Sequence, residues 1–530
     1  MTDQTHHFTT KDNKVWARNT YGFEGVAALM SKQAGGMNHL YVGASVKFAS
    51  PVTASTLKTP VADAWTRLRH WAPIIGTRAV DAEGELNVFS ITYTPPASAA
   101  DAAQWAAETV KWDDVETSLN ARDDAVHESS WWSPADNHWG AEMHIGPCGD
   151  GQWSFILSIG HWAGDARGTI PLVDKFLELL AAELNGSATP PIEQLSWGTE
   201  TTKLPPVATV ALKLSDNAAD AAALKVESNL SSGKGLAPAD APPPPPMFSR
   251  PVGLSAGANA SPEPKSFTQR VVLTAEETAA VTKASKAHGA TVTETINTIL
   301  VLSEIETILR TAAKDEAKFA EVKASYDSAV IYPLALTTFN RRNFLSPEYA
   351  NHDAPKGTPS FAFEGFPTMH NMANLRKCLS VNGTSIDIAA TPESFWTGAV
   401  ADTVTELEKL KKSGTSEGYV ASQTATNAVI PIFQPAMFAQ PAMITTSTGS
   451  LTKLKALSRW EPSAKGPLAI TKFLVSLRQT SLFPYNTVTY WEWDGQIHIS
   501  LHSASDFLGA ADFQLFEESV KKWVTFIGAE

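Results

Sequence analysis

WSFILSIGHWAGDARGTIPLVDKFLELLAAEL, residues 153–184 of the 530-residue chain, holds a strand, a turn and a helix in one stretch. The apolar run Trp153–Ile159 has the length of a buried strand, and Ile170, Leu172, Val173, Phe176, Leu177, Leu179 and Leu180 recur at helical spacing. Between them lies His161-Trp162-Ala163-Gly164-Asp165-Ala166-Arg167-Gly168. A strand-to-helix junction holds side chains rigidly at the end of a sheet, so His161, with a carboxylate four residues on, is the candidate catalytic group. An imidazole titrating near neutrality can take a proton from a hydroxyl and return it to a leaving group, as acyl transfer from a thioester requires. Asp165 is then expected to organise the loop by pairing with an arginine from another element.

On the N-terminal side, residues 43–48 form a short apolar segment. In residues 56–71 Leu57, Val61, Trp65, Leu68 and Trp71 fall on one helical stripe ended by Pro73. Residues 85–94 read as a strand and 99–110 as a helix. Gly149-Asp150-Gly151 predicts a hairpin between MHIGP and the Trp153 strand. On the C-terminal side the composition changes after Gly186. Residues 236–264, with five consecutive prolines at 242–246, read as an exposed linker between domains 1–235 and 265–530.

The second half restarts with a strand over 266–273 and a helix from Thr274 as cap to Gly289 as stop. A helix over 291–309 is apolar all round and so expected to be buried. Residues 328–336 read as a strand running into Thr337-Thr338-Phe339-Asn340-Arg341-Arg342. A helix over 392–412, strands over 443–451, 473–479, 486–493 and 496–502, an Asp494-Gly495 turn and a helix over 511–526 complete the pattern.

The balance of 42 basic against 55 acidic residues, −13 overall, argues against nucleic acid as a partner. Two cysteines, Cys148 and Cys378, make no disulfide framework and no metal-ligand spacing. No membrane span or signal peptide is legible, so a cytoplasmic monomer is expected. Sixteen tryptophans suggest large core fillers or an aromatic-lined tunnel. His127, His138 and His144 read as surface or tunnel histidines rather than metal ligands. Gly253-Leu254-Ser255-Ala256-Gly257 matches a nucleophile elbow and Ser231-Ser232-Gly233-Lys234 a Ser-x-x-Lys pair, but neither has the strand and helix that such motifs need.

His161-x-x-x-Asp165, together with KAHGATVTETINTILVLSEI (286–305), VIYPLALTTFNRR (330–342) and LHSASDFLGAADFQLFEESVKKWVTFI (501–527), resembles the His-x-x-x-Asp acyltransferase superfamily. That superfamily includes chloramphenicol acetyltransferase, condensation domains, plant BAHD enzymes and fungal O-acyltransferases of the trichothecene 15-O-acetyltransferase type. The resemblance implies an α/β (α+β) fold of two chloramphenicol-acetyltransferase-like domains, each a mixed sheet with flanking helices, with an active-site tunnel at the interface. It implies His161 as general base, Asp165 as structural partner of Arg341 with Arg342 as runner-up, and Gly168 as a structural glycine. A hydroxyl from the Thr445-Thr446-Ser447-Thr448 cluster would face the developing oxyanion, Ser447 ahead of Thr446. The expected reaction moves an acyl group, most simply acetyl, from acyl-CoA as co-substrate to a hydroxyl of a small-molecule secondary metabolite or glycolipid. No bound cofactor or metal is expected; a carrier-protein-docking, non-catalytic module is the alternative. Condensation domains carry two adjacent histidines and a glycine directly after the aspartate. Here Gly160 precedes His161 and Ala166 follows Asp165, and the BAHD Asp-Phe-Gly-Trp-Gly motif is missing, which points to a stand-alone enzyme.

Overall fold

The apolar and alternating segments collapse onto two mixed sheets, seen in a computed structural model that describes residues 6–231, 245–254, 265–359, 361–433, 440–480 and 482–529. In chain order their strands are β1 (Leu40–Phe48), β2 (Val110–Trp112), β3 (Ala141–Pro147), β4 (Gln152–Ile159), β5 (Ser266–Val272), β6 (Ile331–Asn340), β7 (Phe363–Asn371), β8 (Ala442–Ser450), β9 (Leu468–Leu477), β10 (Tyr485–Trp493) and β11 (Gln496–Ala504). The helices that matter for the site are α1 (Phe23–Gln33), α2 (Ala54–Trp71), α3 (Ala166–Leu184), α4 (Val292–Ala312), α5 (Ser416–Val429) and α6 (Ala510–Gly528).

The first sheet has the order β9-β1-β4-β3-β2 and the second β7-β6-β8-β10-β11-β5. β3 and β4 form the expected hairpin, and Gly149, Asp150 and Gly151 all take positive φ in its turn. β6, β8 and β10 run parallel to one another, and β10 is buried along nearly its whole length. A small antiparallel sheet of four strands from the first 93 residues stands beside the first sheet.

α2 and α3 cover the first sheet. Leu57, Val61, Trp65 and Leu68 on one meet Leu172, Phe176 and Leu180 on the other, all fully buried. α4 is buried along almost its whole circumference and starts at a Thr291/Glu294 capping box; α6 packs beside it. Trp65, Trp105, Trp162, Trp491 and Trp523 are fully buried and serve as core fillers, while Trp16, Trp71, Trp112, Trp131, Trp139 and Trp197 are half-buried.

Three expectations need correction. β9 belongs by sequence to the second half, yet it pairs antiparallel with β1 across Leu477↔Leu40 to Leu468↔Phe48 and so completes the first sheet. Residues 245–254, expected to be exposed linker, are in part packed: Phe248, Arg250 and Leu254 are buried, while Pro245 to Met247, Val252 and Gly253 are exposed. Phe248 is fully buried and its N–H donates to the Ile331 carbonyl (2.9 Å), while Arg250 forms a buried pair with Glu304 (2.9 Å). The helix expected over 392–412 begins with π-helical turns, Ser394–Val400, before continuing as α-helix over Ala401–Ser413. Ser255, Ser232 to Lys234 and the prolines at 242–244 lie outside the described residues. Among the described residues no helix is long and apolar enough to cross a membrane.

Candidate active site

β4 ends at Ile159, and a single turn, His161–Ala163, leads into α3. Residue 160 has to be glycine here. A Cβ at that position would lie 2.5 Å from Nε1 of Trp162, whose indole is fully buried beneath the loop. The histidine that precedes the catalytic one in condensation domains is therefore excluded by packing.

His161 Nδ1 lies 2.8 Å from the Gly164 carbonyl. A carbonyl only accepts, so Nδ1 carries the proton and Nε2 keeps its lone pair. The ring packs against Phe361 and Phe363, with centroids 5.2 and 6.1 Å away. Burial pulls its pKa below the ordinary histidine value, against the opposing pull of the Gly164 bond and the Asp165 charge.

Asp165 caps α3, one oxygen accepting from the Gly168 N–H (2.8 Å). Its other oxygen accepts from Arg342 Nη1 (3.0 Å) and the Ala362 N–H (2.9 Å). This corrects the expected partner: Arg341 turns away to pair with Glu364 (2.8 Å). β6 stops at Asn340 and a tight turn begins at Arg342, so the two consecutive side chains leave the backbone on opposite sides. With both oxygens engaged and 5% of its surface exposed, Asp165 holds the loop and has no room to act as a base. Gly168 completes the bracing, its carbonyl accepting from His352 Nε2 (3.2 Å). Burial takes His352 down to about 4, so it is neutral at physiological pH.

His161 opens onto a cavity of about 250 Å³ lined by both halves. α1 contributes Phe23, Val26, Ala27 and Met30; β9 contributes Val475 and Leu477; the second sheet contributes Leu336, Thr338, Asn340, Thr446, Ser447, Thr448, Thr487 and Thr489. One wall is apolar and the other rich in hydroxyls. No tryptophan lines it, so the aromatic lining comes from Phe23, Phe361, Phe363 and Tyr485.

A register shift in β8 between Ser447 and Gly449 breaks the alternation, and Thr446, Ser447 and Thr448 all reach the cavity. Thr446 Oγ1 lies 2.7 Å from Thr338 Oγ1. Ser447 Oγ accepts from the Gly449 N–H (3.2 Å).

The other sequence candidates lie elsewhere. None of His127, His138 and His144 lines the cavity. His138 and His144 flank the carboxylate of Glu142 at 3.2 and 3.3 Å, a neighbour not expected from spacing. His127 is buried between the halves, 2.9 Å from Ser476 Oγ, in a seam where Asp123 pairs with Arg270. Among the described residues no group of three or more His, Cys, Asp or Glu could hold a metal ion. Sequence reading missed the α1 wall, although Phe23, Val26, Ala27 and Met30 stand at i, i+3, i+4 and i+7, the signature of one helical face. It also missed Ala362 and His352, which are visible only once the loop is folded.

The family described as 15-O-acetyltransferase Tri3 matches residues 1–130, ahead of His161. No curated protein matches the sequence. Among solved structures, TRI3 trichothecene 15-O-acetyltransferase from Fusarium sporotrichioides superposes with a TM-score of 0.74 at 15% identity, covering 98% of this chain and 96% of that one. The epimerization domain from the third module of tyrocidine synthetase B gives 0.54 at 10% identity, covering 98% of each chain. The first condensation domain of the calcium-dependent antibiotic synthetase gives 0.53 at 11% identity, covering 96% and 95%. The chain thus has the fold of chloramphenicol-acetyltransferase-like and condensation-domain proteins, and its first 130 residues are similar to the 15-O-acetyltransferase Tri3 family.

Proposed function

We propose that this protein is an O-acyltransferase that moves an acyl group, acetyl in the simplest case, from a CoA thioester to a hydroxyl of a small molecule. The observation that carries the reading is the tautomer of His161, whose Nδ1–H is held by the Gly164 carbonyl while Nε2 stays free in a histidine that lines the cavity. Likeness to a trichothecene acetyltransferase supports an acyl donor and a small-molecule alcohol.

In this mechanism Nε2 removes the acceptor's hydroxyl proton as the oxygen attacks the thioester carbonyl. The tetrahedral oxyanion takes a hydrogen bond from Thr446, whose Oγ1 lies 2.7 Å from Thr338 Oγ1; with Thr338 donating in that pair, the Thr446 proton is left for the cavity. Collapse expels the CoA thiolate, and the imidazolium returns the proton to sulfur. No covalent acyl-enzyme forms in this reading, because among the described residues no nucleophile stands within hydrogen-bond reach of His161. Asp165, Arg342 and Gly168 position the loop.

Incubation with acetyl-CoA, a thiol-trapping dye and a panel of alcohols tests the reading. CoA release above buffer, accelerated by at least one alcohol, is expected. No release under any condition would leave a non-catalytic module as the better account.

A further inference from the structure

Arg167, two residues beyond Asp165 in the first turn of α3, lines the cavity beside His161. Among the described residues nothing takes a hydrogen bond from its guanidinium, and no carboxylate lies within ion-pair distance of it. The cavity wall holds one carboxylate, Asp165, whose oxygens are engaged by Gly168, Ala362 and Arg342, against two guanidinium groups. One positive charge is left over in a largely apolar cavity of a protein whose net charge is −13.

Nothing in the fold rewards that charge. A cation in the first turn of a helix opposes the macrodipole, and a half-buried charge without a partner is costly. Burial and the neighbouring Arg342 both pull Arg167 below the usual arginine range, the electrostatic mark of a cation short of anions. Arginine stays protonated even so, and its planar fork matches a carboxylate.

We infer that Arg167 is the specificity residue of the cavity and binds a substrate carboxylate held close to the reacting centre. The roles of donor and acceptor rest on the acyl-transfer reading; the anion site itself does not. A cavity of about 250 Å³ is too small for a whole CoA and an acceptor together. The phosphates of CoA sit at the far end of the pantetheine arm, so one docked at Arg167 would draw the thioester away from His161. The carboxylate therefore belongs either to the acyl group, as in a dicarboxylic acyl-CoA, or to the acceptor.

Calorimetric binding separates the two sources and needs no turnover. In the donor arm malonyl-CoA is compared with acetyl-CoA; in the acceptor arm 3-hydroxybenzoate is compared with its neutral isostere 3-hydroxybenzamide in the presence of CoA. The wild-type protein should prefer the carboxylate by at least about tenfold in one arm, which names the source. Arg167→Gln should abolish that preference, and Arg167→Lys, which keeps the charge without the fork, should retain part of it. His161→Ala should lose turnover but keep the preference, so the acyl-transfer reading can fail while the anion site stands. No preference in either arm of the wild type, or a preference unchanged in Arg167→Gln, would overturn the inference. The wild-type comparison and Arg167→Lys keep the test decisive if Arg167→Gln does not fold.

Discussion

The chemistry turns on one nitrogen. In the proposed reaction His161 acts as a base because its other nitrogen is tied to the Gly164 carbonyl and because burial favours the neutral ring. A folded pKa below the ordinary value of about 6.5 means that the base form survives into mildly acidic solution. The acidic limb of kcat/KM should therefore fall below about pH 6.5; a limb above pH 7 would sink the assignment. Thr446→Val should lower kcat by about 10² to 10³, the usual loss for one oxyanion donor, with KM little changed. Ser447→Ala should cost far less, since the Ser447 hydroxyl is engaged by the Tyr490 oxygen, and the reverse ranking would move the oxyanion site. His161 was legible from strand, break and helix alone. The choice among the neighbouring hydroxyls was not, because it depends on a register shift in β8 that no local residue announces.

At the scale of elements, the site is a loop clamped from a distance. Asp165 ties the start of α3 to Arg342 beyond β6 and to the backbone at Ala362, contacts 177 and 197 residues away in sequence. Asp165→Asn and Arg342→Ala should each lose about 3–5 kcal/mol of stability, as expected when one partner of a buried pair is removed, and both should depress kcat. Urea unfolding and steady-state kinetics read this out, and the double variant should lose less than the sum of the two. Arg341→Ala should destabilise through Glu364 but keep kcat within a few-fold; an Arg341 variant that silences the enzyme while Arg342→Ala does not would reverse the geometry. The sequence placed an arginine opposite Asp165 but not which one. Glu364, which captures Arg341, lies on β7, a strand with too weak an alternation to read, and two adjacent arginines at a strand end carry no local mark of direction.

Over the whole molecule, two halves are joined so that neither wall of the cavity stands alone. β9 crosses back to pair with β1, and a buried seam links Asp123 and His127 of the first half to Arg270 and Ser476 of the second. Burial alone would raise the Asp123 carboxyl, but His127, Arg270 and Ser476 hold it well below the usual carboxylate range. A depressed folded pKa contributes stability above the unfolded value of about 3.9 and loses it as pH falls toward the folded value. Asp123→Asn should thus lose about 3–5 kcal/mol at pH 7 and markedly less by about pH 2.5, measured by urea unfolding at both; an equal loss at the two would remove the charge from the account. Most of the strands and helices were legible from periodicity and turn residues. The crossing of β9 was not, because a strand's sequence records how apolar it is and not which sheet it joins. The seam was not either, since Asp123, His127 and Ser476 look like ordinary polar residues until the halves close. What the assembled molecule is claimed to do depends on His161. The direct measurement is the rate of CoA release by His161→Ala beside the wild type, with the melting temperature of each. The account predicts a fall of roughly 10²-fold or more at an unchanged melting temperature; a folded variant keeping more than about a tenth of the wild-type rate would contradict it.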